Sequence, residues 1–296
     1  MNLKSARTIF FGTPDFAVPS LQKIAAETTV VGVVTQPDKP VGRKQVVTAS
    51  AVKQWAQEHL PEVPILQPRR LGLKSADGPA ALEAIAALQP DLIVLVVYGN
   101  ILPQELLDIP RFGCVNVHPS LLPKYRGASP MQSTLLHGDT ESGISIMQMD
   151  AGMDTGPVLL QYREPLSPRD TIQTLHDRYS AKGAELLITA LKDRVEHGKM
   201  PTPQPEDGAI LCGLLKKEDG QITATDTPIM IDRKFRAYHP WPGIFTIING
   251  KRIKILDLTY HADTDSIEVH TVQLEGKTPR DYKSFIAQYP EFALFL

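Results

Sequence analysis

Residues 92–97 read LIVLVV and form the longest uninterrupted aliphatic run of the chain. A strand that is apolar throughout is covered on both faces, which is typical of the centre of a parallel sheet. The run is far shorter than the roughly 20 apolar residues that cross a bilayer, so we expect no membrane span. We therefore predict a central strand at Asp91–Val97 in an open α/β sheet.

Short β-branched runs alternate with helix-like stretches around that strand. This alternation is typical of βαβ units built around a largely parallel sheet. The pattern predicts further strands at Arg7–Gly12, Thr29–Thr35, Val63–Gln67 and Gly113–His118, with helices at Pro14–Glu27, Ser50–Glu58 and Ser75–Leu88.

The pattern changes after His118. We predict a helix near Pro130–His137, strands near Ile144–Met149 and Pro157–Arg163, and a long helix over Asp170–Glu196. The proline-containing segment 198–208 has little apolar content and is typical of a linker. The sequence therefore predicts one domain over residues 1–197 and a second over residues 209–296.

The second domain has a different pattern from the first. It opens with a helical stretch near Thr227–Tyr238, and β-rich runs follow at Ile244–Ile248, Arg252–Thr259 and Ser266–Leu274. An Asn-Gly pair at residues 249 and 250 separates two of these runs and is a strong signal for a two-residue hairpin. We predict a small antiparallel barrel.

Composition excludes several classes of protein. The chain has 296 residues, a net charge of −2, 42% hydrophobic and 22% charged residues, which excludes disorder and collagen-like architecture. The first strand-like run starts at Thr8 and is too short for a signal-peptide core, so we expect a cytosolic protein. Cys114 and Cys212 are too few for a disulfide framework or a zinc motif, and we predict reduced thiols and no metal.

Basic residues cluster in two segments although the whole chain is nearly neutral. Residues 39–53 contain four basic residues and no acid, and residues 233–254 contain six and no acid. Such strips indicate a polyanionic partner docked at chosen places. On charge alone, a solvated basic face is an equally good interpretation. The six cations of the second strip are Arg233, Lys234, Arg236, Lys251, Arg252 and Lys254.

A cluster of polar residues lies at the carboxyl end of the predicted strand Gly113–His118, where open α/β sheets bind ligands. Asn116 and His118 are two residues apart, so their side chains leave the same face of a strand. An amide can hold a developing oxyanion while an imidazole moves a proton. The alternative is that both residues only satisfy a turn. Asp150 and Asp154, in a second polar loop, could each bring a carboxylate to His118, and spacing does not choose between them.

These segments resemble a known family. NVHPSLLPKYRGA at residues 116–128, followed by MDAGMDTG at residues 149–156, is similar to the signature of the folate-dependent formyltransferases. FGTPDF at 11–16, TQPDKPVGR at 35–43 and RAYHPWPG at 236–243 resemble the members that act on methionyl initiator tRNA. The resemblance covers nearly the whole chain.

The resemblance implies a Rossmann-like formyltransferase domain joined to a small OB-like β-barrel domain. It implies 10-formyltetrahydrofolate as co-substrate and the α-amino group of methionyl initiator tRNA as acceptor. Separately, we expect a cytoplasmic monomer. The family's catalytic Asn, His and Asp fall on Asn116, His118 and Asp154. Folate contacts are expected at Ser120, Leu121, Leu122, Pro123, Tyr98 and Gly99, and tRNA contacts at Arg43, Lys44, Arg233, Arg236, Lys251, Arg252 and Lys254.

Two rival interpretations remain from the sequence. Sister enzymes that formylate a sugar nucleotide or glycinamide ribonucleotide, or that hydrolyse the folate, could share the same three residues. The basic strip and the Trp241 motif of the second domain favour tRNA. A non-catalytic RNA-binding protein on the same scaffold is a different class, and retention of all three polar side chains argues against it.

Overall fold

The aliphatic run at residues 92–97 lies in the interior of a seven-stranded sheet in the computed structural model, which describes residues 1–42 and 45–294. All five residues of the observed strand, Leu92–Val96, are buried. A strand covered on both faces requires this apolar composition. The prediction of a central strand is confirmed.

The strands and helices follow the predicted order closely in the first half of the chain. The strands are β1 (Arg7–Gly12), β2 (Thr29–Val34), β3 (Lys39–Val41), β4 (Val46–Thr48), β5 (Ile65–Leu66), β6 (Leu92–Val96), β7 (Cys114–His118), β8 (Arg126–Gly127), β9 (Glu141–Gln148), β10 (Val158–Pro165), β11 (Leu211–Cys212), β12 (Ile244–Ile248), β13 (Lys251–His261), β14 (Ser266–Leu274) and β15 (Arg280–Asp281). The helices are α1 (Val18–Glu27), α2 (Ala51–His59), α3 (Gly78–Ala87), α4 (Gln104–Leu107), α5 (Pro130–His137), α6 (Ile172–Glu196), α7 (Pro228–Tyr238) and α8 (Tyr282–Gln288).

The main sheet has the strand order β10-β9-β7-β6-β1-β2-β5. The adjacent strands in the part of the sheet with the order β7-β6-β1-β2-β5 are parallel to one another. Strand β9 runs antiparallel to β7. The predicted mainly parallel sheet is confirmed. Because parallel strands end at the same edge, the residues that follow β1, β6 and β7 come together there.

A buried apolar cluster holds this sheet against α3. Ile9, Ile93 and Leu95 from the strands pack in one cluster with Leu82 and Ile85 from the helix. Full burial of each such side chain stabilises the fold by about 1.5–3 kcal/mol. The cluster fixes the strands whose ends carry the polar residues.

Packing divides the chain into two units that each combine segments distant in sequence. The N-terminal unit comprises Met1–Arg126, Gly143–Glu164 and His176–Leu211, and the C-terminal unit comprises Gly127–Ser142, Pro165–Leu175 and Cys212–Leu296. These units are defined by packing and not by chain order. The domains at 1–197 and 209–296 and the linker at 198–208 therefore stay a prediction.

The C-terminal unit contains an antiparallel sheet of order β12-β13-β14-β15. Asn249 and Gly250 adopt positive φ values of 50° and 73°, as a two-residue hairpin turn requires. This confirms the predicted hairpin. Helix α7 packs on the sheet and on α5, and α8 packs on β14. The arrangement is consistent with the predicted small barrel.

Several features of the structure differ from the sequence predictions, among them the short elements α4, β8, β11 and β15, which were not predicted. The β3–β4 hairpin was not predicted because its strands are short and β4 is wholly exposed, so no burial pattern marks them. Helix α8 was likewise not predicted. The long helix α6 begins at Ile172 and not at Asp170, because the Asp170 carboxylate accepts hydrogen bonds from Ser167 N at 2.8 Å and Thr174 Oγ1 at 3.1 Å.

Cys114 and Cys212 are both buried and form no disulfide, as predicted. Burial raises the pKa of the Cys114 thiol to about 12, so the thiol stays protonated. Among the described residues, no helix has the length and apolar character needed to cross a membrane.

Candidate active site

Asn116 and His118 lie on one face of β7, near its carboxyl end. Both are buried, at 7% and 4% exposure. Asn116 is paired with Leu95 of β6 on one side and Met147 of β9 on the other, while His118 is opposite Ser145. The sheet thus holds both side chains in a fixed register, as the two-residue spacing predicts.

The His118 ring has acceptors at both nitrogens. Nε2 lies 2.9 Å from the carbonyl oxygen of Tyr125, and a carbonyl only accepts, so this hydrogen-bond network assigns Nε2 as a donor. Nδ1 lies 3.7 Å from Oδ2 of Asp154, which is longer than a hydrogen bond. Nδ1 is therefore the ring nitrogen that forms no hydrogen bond with a described residue.

The loop between β9 and β10 presents Asp154, and not Asp150, to the histidine. Asp150 folds the loop, because its Oδ1 accepts hydrogen bonds from Gly152 N at 3.0 Å and Thr155 Oγ1 at 2.7 Å. Asp154 has a φ of 53°, a left-handed conformation that non-glycine residues rarely adopt. Such backbone conformations persist only where the surrounding structure enforces them.

The Asn116 amide is available to a ligand. Within residues 1–42 and 45–294, no hydrogen bond to its side chain is formed by protein groups. The polar atoms of this amide are not among the fully buried atoms that lack a partner, so a ligand can reach the amide. An acceptor oxygen on a bound molecule would satisfy it.

The turn after β7 holds the residues predicted to contact folate. Ser120, Leu121 and Leu122 are buried, and the Ser120 hydroxyl donates to the carbonyl of Lys124 at 2.7 Å. Ser145 of β9 donates to Ser120 O at 2.7 Å and accepts from Leu122 N at 3.1 Å. This turn is therefore rigid before any ligand arrives, and it ends in a cis peptide bond between Leu122 and Pro123.

The loop after β6 carries the other two predicted folate residues. Tyr98 is buried with its ring edge-on to Phe11, and its carbonyl accepts from Thr13 Oγ1 at 3.1 Å. Burial raises the pKa of the Tyr98 phenol, whose hydroxyl forms no hydrogen bond with any described residue. Gly99 is exposed with a φ of 88° and open space around it, which leaves its backbone accessible to a ligand.

Arg43 and Lys44, which we predicted to contact tRNA, lie outside the described residues. Near β3, three polar side chains contact one another. Lys53 Nζ contacts Asp38 at 2.7 Å and Gln67 at 2.8 Å, and Gln67 Nε2 contacts Asp38 at 2.8 Å. The Lys53 hydrogen bond is the main cause that lowers the pKa of Asp38 below its usual value.

In the C-terminal unit, the basic strip 233–254 divides into two groups. Arg236 pairs with Asp232 at 2.8 Å and donates to Asp170 O at 3.0 Å. Lys234 pairs with Asp226 at 2.7 Å. These two cations support the fold of their own unit.

The remaining cations of the strip form no ion pair within the part of the chain that the structure describes. Lys251 and Lys254 are exposed on β13. The Arg252 guanidinium stacks over the Phe245 ring at 4.1 Å, a contact that leaves its N–H donors at the ring edge. Arg233 packs against Gly138.

The donor set favours an organic ligand. Among the described residues, no group of three or more His, Cys, Asp or Glu side chains could hold a metal ion. An unpartnered amide, an imidazole nitrogen beside a carboxylate and an open glycine backbone are suited to an acyl group and a flat heterocycle. This set fits 10-formyltetrahydrofolate.

Sequence reasoning missed some of the groups that build this site. The Tyr125 carbonyl is a backbone acceptor and leaves no side-chain signal. Ser145 and Gln161 brace the turn, since Gln161 Nε2 donates to Leu122 O at 3.0 Å and to Ser145 Oγ at 2.9 Å. Their positions on neighbouring strands could not be read from a local motif.

Comparisons with known proteins agree with this architecture. The formyl transferase family model matches residues 6–191, and the model for the formyl transferase C-terminal domain matches residues 214–266. Methionyl-tRNA formyltransferase of Geobacter sulfurreducens is 40% identical over 306 residues, covering 96% of this chain and 94% of the relative. The Myxococcus xanthus enzyme of the same name is 44% identical over 249 residues, covering 84% and 78%.

Two solved structures share the fold. Methionyl-tRNA formyltransferase from Clostridium thermocellum superimposes with a TM-score of 0.62 at 18% identity, covering 91% of this chain and 98% of the other. An N-formyltransferase from Helicobacter canadensis, in complex with folinic acid and dTDP-3-aminofucose, gives 0.63 at 20% identity, covering 86% and 89%. At these identities the likeness shows the fold alone.

The mainly parallel sheet, the polar residues at its carboxyl edge and the two family models define a formyltransferase. The relatives that align along nearly the whole chain narrow this further. The chain belongs to the methionyl-tRNA formyltransferase family.

Proposed function

We propose that Asn116, His118 and Asp154 transfer the formyl group of 10-formyltetrahydrofolate to the α-amino group of methionyl initiator tRNA. The observation that carries this proposal is the geometry of His118. Its Nε2 is engaged by the Tyr125 carbonyl, while its Nδ1 faces Asp154 at 3.7 Å without a hydrogen bond. The unpartnered Asn116 amide lies on the same strand face.

The reaction exchanges one carbon–nitrogen bond for another. The co-substrate supplies the activated formyl group, and the aminoacyl end of the tRNA supplies the neutral amine. The amine nitrogen bonds to the formyl carbon and the bond from that carbon to the folate nitrogen breaks. One amine proton is transferred to the folate nitrogen, so that the products are formylmethionyl-tRNA and tetrahydrofolate.

His118 carries that proton at Nδ1. A proton on Nδ1 gives a cation whose two N–H groups face the Tyr125 carbonyl and the Asp154 carboxylate. The carboxylate thus stabilises the charged ring and fixes its orientation. General acid–base assistance of this type contributes about 100- to 10,000-fold in rate.

Asn116 stabilises the negative charge that develops on the formyl oxygen. Its amide donors are free in the described structure and are held by strand pairing on both sides. A preorganised donor is effective because it needs no reorganisation during the reaction. A buried site strengthens the interaction further.

The two turns at the edge of the sheet bind the folate. The Tyr98–Gly99 loop follows β6, and the Ser120–Pro123 turn follows β7, which is the next strand of the sheet. The accessible backbone of Gly99 provides hydrogen bonds, and the buried side chains of the second turn provide an apolar wall.

The tRNA phosphates are bound by cations of the second domain. Lys251, Arg252, Lys254 and Arg233 form no ion pair among the described residues and are suited to this role. Arg236 is committed to Asp232, so its contribution to binding is smaller; Arg43 and Lys44 are proposed from the family resemblance alone. The proposal includes catalysis by residues 1–197, a linker at 198–208, tRNA binding by residues 209–296, and a cytoplasmic monomer.

A formyl-transfer assay tests the function. Purified full-length protein is incubated with 10-formyltetrahydrofolate and one of three acceptor conditions: methionyl initiator tRNA, methionyl elongator tRNA, or none. We expect formylation of the initiator alone. Folate turnover without an acceptor would indicate a hydrolase, and no turnover in any condition would contradict the proposal in favour of a different acceptor.

A further inference from the structure

Gln204 lies in the segment that the sequence marks only as a linker, yet its side chain reaches the loop of Asp154. Its Nε2 donates to the carbonyl oxygens of Asp154 at 2.8 Å and Gly156 at 2.6 Å. Both carbonyls belong to the loop that carries the Asp154 side chain. The segment 198–208 therefore contacts the candidate active site through this residue.

Arg126 fixes which way the Gln204 amide points. The Arg126 Nε donates to Gln204 Oε1 at 3.1 Å. A guanidinium has only donors, so Oε1 must face it and Nε2 must face the two carbonyls. Arg126 is itself 4% exposed, and its terminal nitrogens contact the Glu206 carboxylate at 3.3 and 3.4 Å.

These contacts connect the groups on the two sides of the His118 imidazole. Tyr125, whose carbonyl accepts from His118 Nε2, is the neighbour of Arg126 in the chain. Arg126 contacts Gln204, Gln204 contacts the backbone of Asp154, and the Asp154 carboxylate faces His118 Nδ1. The Arg126–Gln204 pair thus connects the Tyr125 carbonyl, which faces His118 Nε2, with the loop of Asp154, whose carboxylate faces His118 Nδ1.

The Asp154 turn needs such support. Asp154 has a φ of 53°, and non-glycine residues adopt this conformation only at a cost in free energy. At Gly156 a Cβ atom would lie 1.9 Å from the carbonyl oxygen of Gln148, so the chain passes too close there for any side chain. The two hydrogen bonds from Gln204 hold this unusual backbone path.

We propose that Gln204 is a positioning residue that sets the distance between the Asp154 carboxylate and His118, with Arg126 orienting its amide. Gln204 does not touch the substrates in this proposal. It acts on catalysis through Asp154, and the inference rests on the proposed function of the Asp154–His118 pair. A misplacement of about 1 Å in such a site costs on the order of 100-fold in rate.

The test is a double-mutant cycle on the full-length protein. Gln204→Ala is measured in the wild-type background and in the Asp154→Asn background, with kcat and both KM values from the formyl-transfer assay. We expect Gln204→Ala alone to lower kcat about 10- to 100-fold with KM values changed less than about twofold. In the Asp154→Asn background the same substitution should lower kcat less than about twofold, because the group it positions is already disabled.

A second variant and a control keep the result interpretable. Gln204→Glu keeps the side-chain volume and the oxygen that faces Arg126, but replaces the donor with an acceptor, so we expect a loss of kcat as large as that of Gln204→Ala. Gln54→Ala is the matched control, since Gln54 is an exposed glutamine that donates to one carbonyl, Ala49 O, at 2.8 Å. It should leave kcat unchanged, and thermal midpoints should be compared across all variants.

The outcomes separate the inference from the proposed function. A further loss of about tenfold or more in the Asp154→Asn background would overturn the inference, as would a Gln204→Glu variant with wild-type kcat. If Asp154→Asn itself turns over at the wild-type rate, the proposed function of Asp154 fails first. If Asp154→Asn is impaired and Gln204→Ala is not, only the positioning role of Gln204 fails.

Discussion

In the N-terminal unit, His118 is buried and both of its ring nitrogens face protein acceptors. In the C-terminal unit, Lys251 and Lys254 are exposed and form no ion pair among the described residues. The first arrangement suits chemistry, because a buried and oriented proton carrier works in a low local dielectric. The second suits a diffusing polyanion, because exposed and unpaired cations exchange counterions freely.

The same contrast occurs within the basic strip of the C-terminal unit. Two cations of α7, Lys234 and Arg236, are paired with Asp226 and Asp232. Arg233 of the same helix and the cations of β13 form no ion pair with a described residue. The acids lie outside the strip in sequence. A run of basic residues therefore does not by itself identify a binding surface, and the structure separates cations that fold the unit from those that are free to bind.

The largest expected effect is on chemistry in the N-terminal unit. Asn116→Ala removes the proposed oxyanion donor and should lower kcat about 100- to 1,000-fold, with little change in thermal midpoint. Asn116→Asp keeps the volume but not the donors and should be equally impaired. Steady-state kinetics with initiator tRNA measure both, and retained kcat in either variant would break the assignment of Asn116.

Neutralising the cations of β13 should weaken tRNA binding and leave the rate of the chemical step unchanged. Lys251→Gln, Arg252→Gln and Lys254→Gln combined should raise KM for the tRNA on the order of tenfold and reduce the slope of log affinity against log salt by about two. The KM for folate and kcat should be unchanged. A triple variant of Lys23, Lys182 and Lys192 to Gln removes the same charge elsewhere, and an equal effect there would indicate a general charge effect.

A paired cation should affect stability more than it affects binding. Arg236→Gln breaks the contacts with Asp232 and with the Asp170 carbonyl and should lower the free energy of unfolding by about 1–3 kcal/mol. Arg233→Gln, on the same helix and without an ion pair, should cost less than about 0.5 kcal/mol. Urea unfolding measures both. Equal costs at the two positions would remove the distinction between paired and unpaired cations.

The smallest expected effect is a pH dependence at Asp226. Burial of this carboxyl raises its pKa, but the Lys234 and Thr223 hydrogen bonds outweigh burial and hold the pKa below its ordinary value of 3.8. A carboxyl with a lowered pKa stabilises the fold above its unfolded pKa, and this contribution is lost as pH falls through the folded pKa.

Asp226→Asn should therefore lower the thermal midpoint near neutral pH, and the difference from wild type should shrink as the pH falls below the ordinary carboxyl pKa of 3.8. Asp263→Asn, at an exposed position, is the control and should show no such change. A difference that grows at low pH would contradict the lowered pKa.

Local patterns predicted much of the fold. The buried run at residues 92–97 and the Asn249-Gly250 turn each specify their structure through neighbouring residues alone, and both predictions are confirmed. The β3–β4 hairpin could not be predicted in this way because its β4 strand is wholly exposed and carries no alternation. Elements whose burial depends on distant partners, such as α8, leave a weaker signal.

In the candidate site, as in the fold, local spacing was predictable from the sequence and contacts between distant residues were not. Asn116 and His118 could be paired because their spacing places them on one strand face. Asp150 and Asp154 were equivalent by spacing, and only the resemblance favoured Asp154, until the structure showed Asp150 occupied within its own loop. Gln204 is 50 residues from Asp154 in a proline-containing segment, and no local pattern connects the two.

We propose that His118 acts in the chemical step. The direct test is the single-turnover rate of formyl transfer at saturating 10-formyltetrahydrofolate and methionyl initiator tRNA, measured for wild type and His118→Ala, with the tRNA affinity of each determined by titration. We predict a rate loss of about 100- to 10,000-fold with unchanged tRNA affinity. A single-turnover rate near that of wild type would show that His118 does not act in the chemical step.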